Sequence, residues 1–154
     1  MYSKVTYENN VARKQVLIYS KKLFKNLEEA ISNEIKFLNL FYQDSLDFNS
    51  PYIKVLKFLY RDNNTIVQEK VKGIEMIEYF FPIPRKIFEE AMAFFKFANS
   101  RGHYHRDVSE ENLIYDEESK TLWIIDFGFA LEKEDPEYTD IENIILLKES
   151  KTWM

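Results

Sequence analysis

The sequence predicts an α+β fold, with a sheet-rich first half and a helix-rich second half. Strand-like runs cluster before residue 72, and the clearest helical periodicities fall later, around one small hairpin. A chain of 154 residues that is 45% hydrophobic and 16% aromatic matches one core, or one compact unit of two small lobes. The division is placed near Lys70 to Gly73, giving a unit of residues 1–71 and a unit of residues 72–154.

Val5 to Tyr7 and Val11 to Tyr19 read as strands, with Glu8-Asn9-Asn10 as the turn between them. Asn26 offers an N-cap, and Glu29 stands at the capping-box position. The helix that follows carries Leu27, Ile31, Ile35, Leu38 and Phe41 on one stripe, and Glu34 lies on that stripe. A carboxylate there needs a cationic partner to stay charged. Tyr52 to Arg61 and Thr65 to Val71 read as two further strands around Asp62-Asn63-Asn64. A short helical stretch is expected near Ile74 to Phe80. A longer helix then carries Ile87, Phe88, Ala91, Phe94, Phe95 and Ala98, with Gly102 as its C-cap glycine. Asn112 to Tyr115 and Thr121 to Ile125 form the expected hairpin. Thr139 with Glu142 begins a last helix bearing Ile141, Ile144 and Ile145.

A net charge of −5 argues against nucleic acid as the main partner, because phosphate binding needs a basic surface. With no cysteine there is neither a disulfide framework nor a thiolate cage. No apolar run reaches membrane-span length, and Met1 to Thr6 lacks a signal-peptide core. The simplest reading is a soluble, cytoplasmic protein.

Two segments carry chemistry. His105-Arg106-Asp107-Val108-Ser109-Glu110-Glu111-Asn112 matches H-R-D-x-x-x-x-N, and Asp126-Phe127-Gly128 matches D-F-G. Seven fixed residues in the right order make a specific signal, where D-F-G alone is weak. With the order of elements, they make the chain resemble the protein-kinase-like superfamily over most of its length. That resemblance implies a bilobal fold, with a reduced N-lobe sheet plus one helix and a truncated helical C-lobe.

The resemblance also assigns roles. Asp107 would accept or orient the hydroxyl proton, and Asn112 and Asp126 would hold Mg²⁺ against the phosphates of ATP. Val11-Ala12-Arg13-Lys14 looks like the V-A-x-K strand, so Lys14 would reach the phosphates with Glu34 as its ion-pair partner. Lys21 and Lys22 are rival lysines. The Glu69 carbonyl and the Val71 amide would bond adenine, Ala12 and Ile114 would sandwich it, and Gln68 would take the gatekeeper place. His105, Phe127 and Leu38 would pack to couple the lobes.

The chain departs from ordinary kinases. Its only glycines are Gly73, Gly102 and Gly128, so no glycine-rich loop precedes Lys14. Ser109 stands where typical Ser/Thr protein kinases have Lys, which is similar to RIO kinases. There is no A-P-E motif, and the last helix begins where an activation segment would start. This shortening is similar to KEOPS-associated and lipopolysaccharide-kinase-like proteins, and by that likeness Asp140 would buttress the catalytic loop.

The function expected is a minimal atypical kinase, transferring the γ-phosphoryl group of ATP to a hydroxyl acceptor, protein or small molecule. The alternatives are a kinase-fold binding or regulatory module, and an ATPase or kinase active only with an activating or target protein. Plainer readings stand beside these. Asp107, Asn112 and Asp126 could be turn residues. Lys14 could be an ordinary surface lysine, and Glu34 a solvated helix glutamate. His103, His105 and Asp107 alternate and could face one metal. Tyr79-Phe80-Phe81 and Phe94-Phe95 read as core, and the run from Glu132 to Glu137 as a solvated loop.

Overall fold

A computed structural model describes residues 3–152; Met1, Tyr2, Trp153 and Met154, at the outer ends of the two expected units, lie outside them. Among the described residues the fold is α+β, with two four-stranded sheets and three α-helices. The first sheet has the order β1-β2-β5-β4, built from β1 (Ser3–Glu8), β2 (Val11–Val16), β5 (Thr65–Glu69) and β4 (Phe58–Asp62). The second has the order β3-β8-β7-β6, built from β3 (Ile53–Val55), β8 (Thr121–Ile124), β7 (Leu113–Asp116) and β6 (Ile74–Glu75). The helices are α1 (Leu27–Phe48), α2 (Arg85–Ser100) and α3 (Asp140–Lys151).

Local chemistry explains most boundaries. Asn9 and Asn63 take φ of +50° and +54° in the two tight turns, a conformation that asparagine tolerates. Asn26 caps α1 by accepting from the Glu29 amide at 2.8 Å. At the end of α2, the Gly102 amide donates to Asn99 and the His103 amide to Ala98. This is a Schellman closure, with Gly102 at φ +84°. Thr139 and Glu142 form a complete capping box at the start of α3.

Several expectations are corrected. The strand expected through Tyr19 stops at Val16, because its ladder partner β5 begins at Thr65 and the Val16 amide already donates to Asn64. The strand expected over Tyr52 to Arg61 is two strands in two sheets. Val55 and Leu56 are both buried, which breaks the alternation and turns the chain from one sheet to the other. β3 therefore runs parallel to β8 although it lies within the expected unit 1–71. The helical stretch near Ile74 to Phe80 is the short strand β6 followed by one 3₁₀ turn, Met76–Glu78. On α3 the packed face carries Ile141, Ile144 and Leu147, while Ile145 is exposed.

One core joins the sheets. Val16 and Ile66 from the first, Leu113, Leu122 and Ile124 from the second, and Phe37, Leu38 and Phe41 from α1 belong to one buried cluster. Phe94 and Phe95 are in it, as expected. Of the other aromatic run only Tyr79 is buried; Phe80 and Phe81 are 84% and 68% exposed, since the irregular chain after the 3₁₀ turn points them outward. The acidic run from Glu132 to Glu137 lies mostly exposed.

Candidate active site

On β2, alternate residues face inward, so Ala12, Lys14 and Val16 are buried together. Lys14 is 5% exposed, and its Nζ lies 2.5 Å from Glu34 Oε2 and 3.1 Å from Asp126 Oδ1. Glu34, 2% exposed on the inner face of α1, has the cationic partner that its place on an apolar stripe requires. Burial pushes the Lys14 ammonium down, but the charges of Glu34 and Asp126 outweigh it and hold its pKa above the ordinary lysine value. Burial likewise drives the Glu34 carboxyl up, against the pull of Lys14. At Asp126 burial acts upward too, yet Lys14 and the Gly128 amide prevail and hold the carboxyl below its ordinary value. Lys21 and Lys22 are exposed and line no part of this site.

The Schellman turn of α2 sends the chain directly into the His105–Asn112 loop. The Asp140 carboxylate, buried at the start of α3, accepts from the backbone amides of His105 and Arg106, each at 2.9 Å. Arg106 has φ +70°, a strained value for a residue with a side chain, and Asp140 fixes it there. Asp126 is held similarly at φ +60°, with its Oδ1 accepting from the Gly128 amide. His105 Nδ1 accepts from the Asp107 amide, and its Nε2 donates to the Ile125 carbonyl. His103 pairs instead with the buried Asp44 at 2.7 Å. The two imidazoles are thus engaged separately, and no group of three or more metal-ligating His, Asp or Glu side chains occurs among the described residues.

Asn112 is tied to Asp107. Its Nδ2 donates to the Asp107 carbonyl at 2.8 Å and to Asp107 Oδ2 at 2.9 Å, which leaves its amide oxygen as the free ligand atom. Burial raises the Asp107 carboxyl and the charge of Asp126 adds to the rise, while the Asn112 amide opposes it.

A cleft of about 400 Å³ opens between the sheets. Ala12, Lys14, Glu69, Val71, Asn112, Ile114 and Asp126 all line it, as does Gln68. Glu34 stands behind Lys14. Asp107 lines an adjoining groove with Ser109, Asn143 and Leu146, and the two hollows share Ile77 and Glu111. At the back of the cleft, the Phe127 ring lies 5.0 Å from Phe41 and 5.1 Å from His105. Leu38 is buried in the same cluster. Sequence reasoning missed Phe41 as the aromatic bridge between α1 and the D-F-G turn, and it missed Tyr7 and Glu75 as cleft residues. The alternation of Val5 and Tyr7 along β1 was the available signal for Tyr7.

No protein-family model matches the chain. Curated relatives do. CBL-interacting protein kinase 10 from Oryza sativa subsp. japonica is 30% identical over 142 residues, covering 84% of this chain and 30% of the relative. Maternal embryonic leucine zipper kinase from Xenopus laevis is 37% identical over 72 residues, covering 42% of this chain and 11% of the relative. Serine/threonine-protein kinase pim-2 from Danio rerio is 32% identical over 60 residues, covering 39% and 19%. The chain thus spans less than a third of the length of the relatives it matches. Low-identity likeness to protein kinases, joined to two small sheets and three helices, gives the chain a protein-kinase-like relationship and a reduced kinase-like fold.

Proposed function

We propose that the chain is a minimal atypical kinase that binds Mg²⁺-ATP in the cleft and transfers the γ-phosphoryl group to a hydroxyl. The observation that carries this is the convergence of Lys14, Asn112 and Asp126 on one cleft, with Asp107 tied to Asn112. Residues 1–71 and 72–154 are taken as its two lobes. Lys14, steadied by Glu34, holds the phosphates as a point charge. Ala12 and Ile114 enclose the base, and the Glu69 carbonyl and the Val71 amide bond its edge. Val71 makes no backbone hydrogen bond among the described residues, so its amide is available. The Asn112 amide oxygen and the Asp126 carboxylate are hard oxygen donors that fit Mg²⁺ where phosphates complete the shell. That ion, when bound, neutralises phosphate charge. Asp107 takes or orients the acceptor's hydroxyl proton, a contribution of about 10²–10⁴-fold in rate.

On Ser109, Asp140 and the short segment between Gly128 and α3, we set the chain beside the RIO, KEOPS-associated and lipopolysaccharide-kinase-like proteins; the relatives matched above are of other kinds. A partner-completed enzyme is a second reading, favoured by the absence of glycine from β1 above the cleft.

Thermal melting with ATP, with and without Mg²⁺, tests the binding. Ligand at ~100 times its Kd adds about 2.7 kcal/mol, which moves the Tm of a domain this size by roughly 5–10 °C. Asp126→Asn is expected to abolish the Mg²⁺-dependent part of the shift. Asp107→Asn is expected to keep the shift while ADP release falls at least about 10²-fold. Wild-type rates of ADP release in both variants would refute the role assignment, and a shift only with a partner protein would favour the second reading.

A further inference from the structure

The register of the first sheet divides the roof of the cleft into two rows. Tyr7 lies opposite Ala12, and Ala12 opposite Gln68. Val5 lies opposite Lys14, and Lys14 opposite Ile66. The second row is the phosphate end, because it holds Lys14. The first row is therefore the base end, beside the segment from Glu69 to Val71, the hinge between the two expected units, where the Lys70 amide donates to Asn10. Ser3, Val5 and Tyr7 turn into the cleft, while Lys4 and Thr6 line the outer surface. The roof strand carries a side chain at every position, so its backbone cannot approach phosphates as a glycine-lined strand could.

Tyr7 is unusual among the lining residues. It is 61% exposed, so no core packing accounts for its ring, and Lys70 Nζ sits 5.7 Å from the ring centroid. A large aromatic at the base end of a cleft offers a flat surface to a flat ligand. Resting on the nucleotide reading of this cleft, we propose that Tyr7 is a base-recognition residue. Its ring stacks on the purine, Lys70 steadies it from the hinge, and nucleotide affinity resides mainly at the base end of the cleft.

Calorimetric titration with adenosine, Mg²⁺-ATP and Mg²⁺-tripolyphosphate tests this. Tyr7→Ala is expected to weaken adenosine and ATP about tenfold or more, the usual effect of removing one stacking aromatic, and to leave tripolyphosphate unchanged. Tyr7→Trp is expected to retain adenosine binding and to show quenched indole fluorescence on titration. Wild-type ATP and adenosine affinity in Tyr7→Ala would overturn the inference alone. An equal loss for tripolyphosphate would overturn it as well, since the ring would then be supporting the roof rather than reading the base. Failure of the wild-type chain to bind either ATP or adenosine would overturn the nucleotide reading, and the inference with it.

Discussion

Lys14 is the residue on which most of the site's charge depends. It is buried between two carboxylates, so its single charge is shared by both while they hold it in place. Removing one member of a buried ion pair costs far more than the pair contributes, because the survivor keeps its desolvation penalty. Lys14→Met is therefore expected to destabilise the fold at neutral pH by about 3 kcal/mol or more. The loss should depend on pH. In the wild type, Asp126 is held below its ordinary value, so its stabilisation is lost only on acidification below the ordinary Asp range. Glu34, already held above its ordinary value by burial, acts in the opposite sense, and removing Lys14 pushes both carboxyls further up. In the variant, Glu34 and Asp126 have lost their counter-charge, and burial raises both. The folded state then binds more protons than the unfolded one, and stability rises as pH falls. Urea denaturation should show the gap between the two proteins narrowing from pH 7 to about pH 5. A constant gap would mean that the lysine acts through packing alone.

At the scale of elements, Asp140 ties α3 to the His105–Asn112 loop. Asp140→Ala would leave the amides of His105 and Arg106 without their acceptor, and Arg106 without support at φ +70°. The expected cost is roughly 3 kcal/mol, with Asp140→Asn losing less because it keeps an acceptor oxygen; chemical denaturation of both variants checks the order. Gly73 is a comparable point at the junction of β5 and β6. A Cβ there would stand 2.7 Å from the Tyr115 carbonyl oxygen, at φ +135°. Gly73→Ala is therefore expected to cost at least about 2 kcal/mol and to disturb the pairing of β6 with β7. Legibility in the sequence followed the same physics. Glu34 could be read because a charge on an apolar stripe demands a partner, and the caps at Asn26, Gly102 and Thr139 because each answers a local backbone need. The switch of sheets after Val55 was hidden, because alternation reports that a strand has two faces and not which sheet it joins. Phe80 and Phe81 misled because composition cannot tell a buried aromatic from one that an irregular segment turns outward. Phe41 was legible as core, but its contact with Phe127 spans 86 positions of sequence and leaves no local trace.

For the whole molecule, the question is whether two sheets make two folding units. The cleft separates them at the front, but the core does not. α1 packs on β3 of the second sheet and also on β4 of the first, and Phe41 carries that packing to His105 and Phe127. β3, drawn from the first part of the chain, sits at the edge of the second sheet and anchors it to α1. Phe37, Leu38 and Phe41 of α1 belong to the one buried cluster that also holds Val16 and Ile66 of the first sheet and Leu113, Leu122 and Ile124 of the second, so parting the sheets opens that cluster. Exposing one such aromatic side chain forfeits on the order of 2–3 kcal/mol, a large share of the stability of any domain this size. The molecule is therefore expected to unfold in one transition. Trp123 in β8 reports the second sheet by fluorescence, in a Trp153→Phe background, and far-UV circular dichroism reports the whole chain. Coincident urea midpoints are expected in the wild type. Phe41→Ala, which opens the bridge at a cost of about 3–5 kcal/mol, should lower both midpoints together. If fluorescence instead persisted beyond the circular-dichroism transition, the sheets would be separate units. The Lys14–Asp126 contact across the cleft would then have to hold them in register without a shared core.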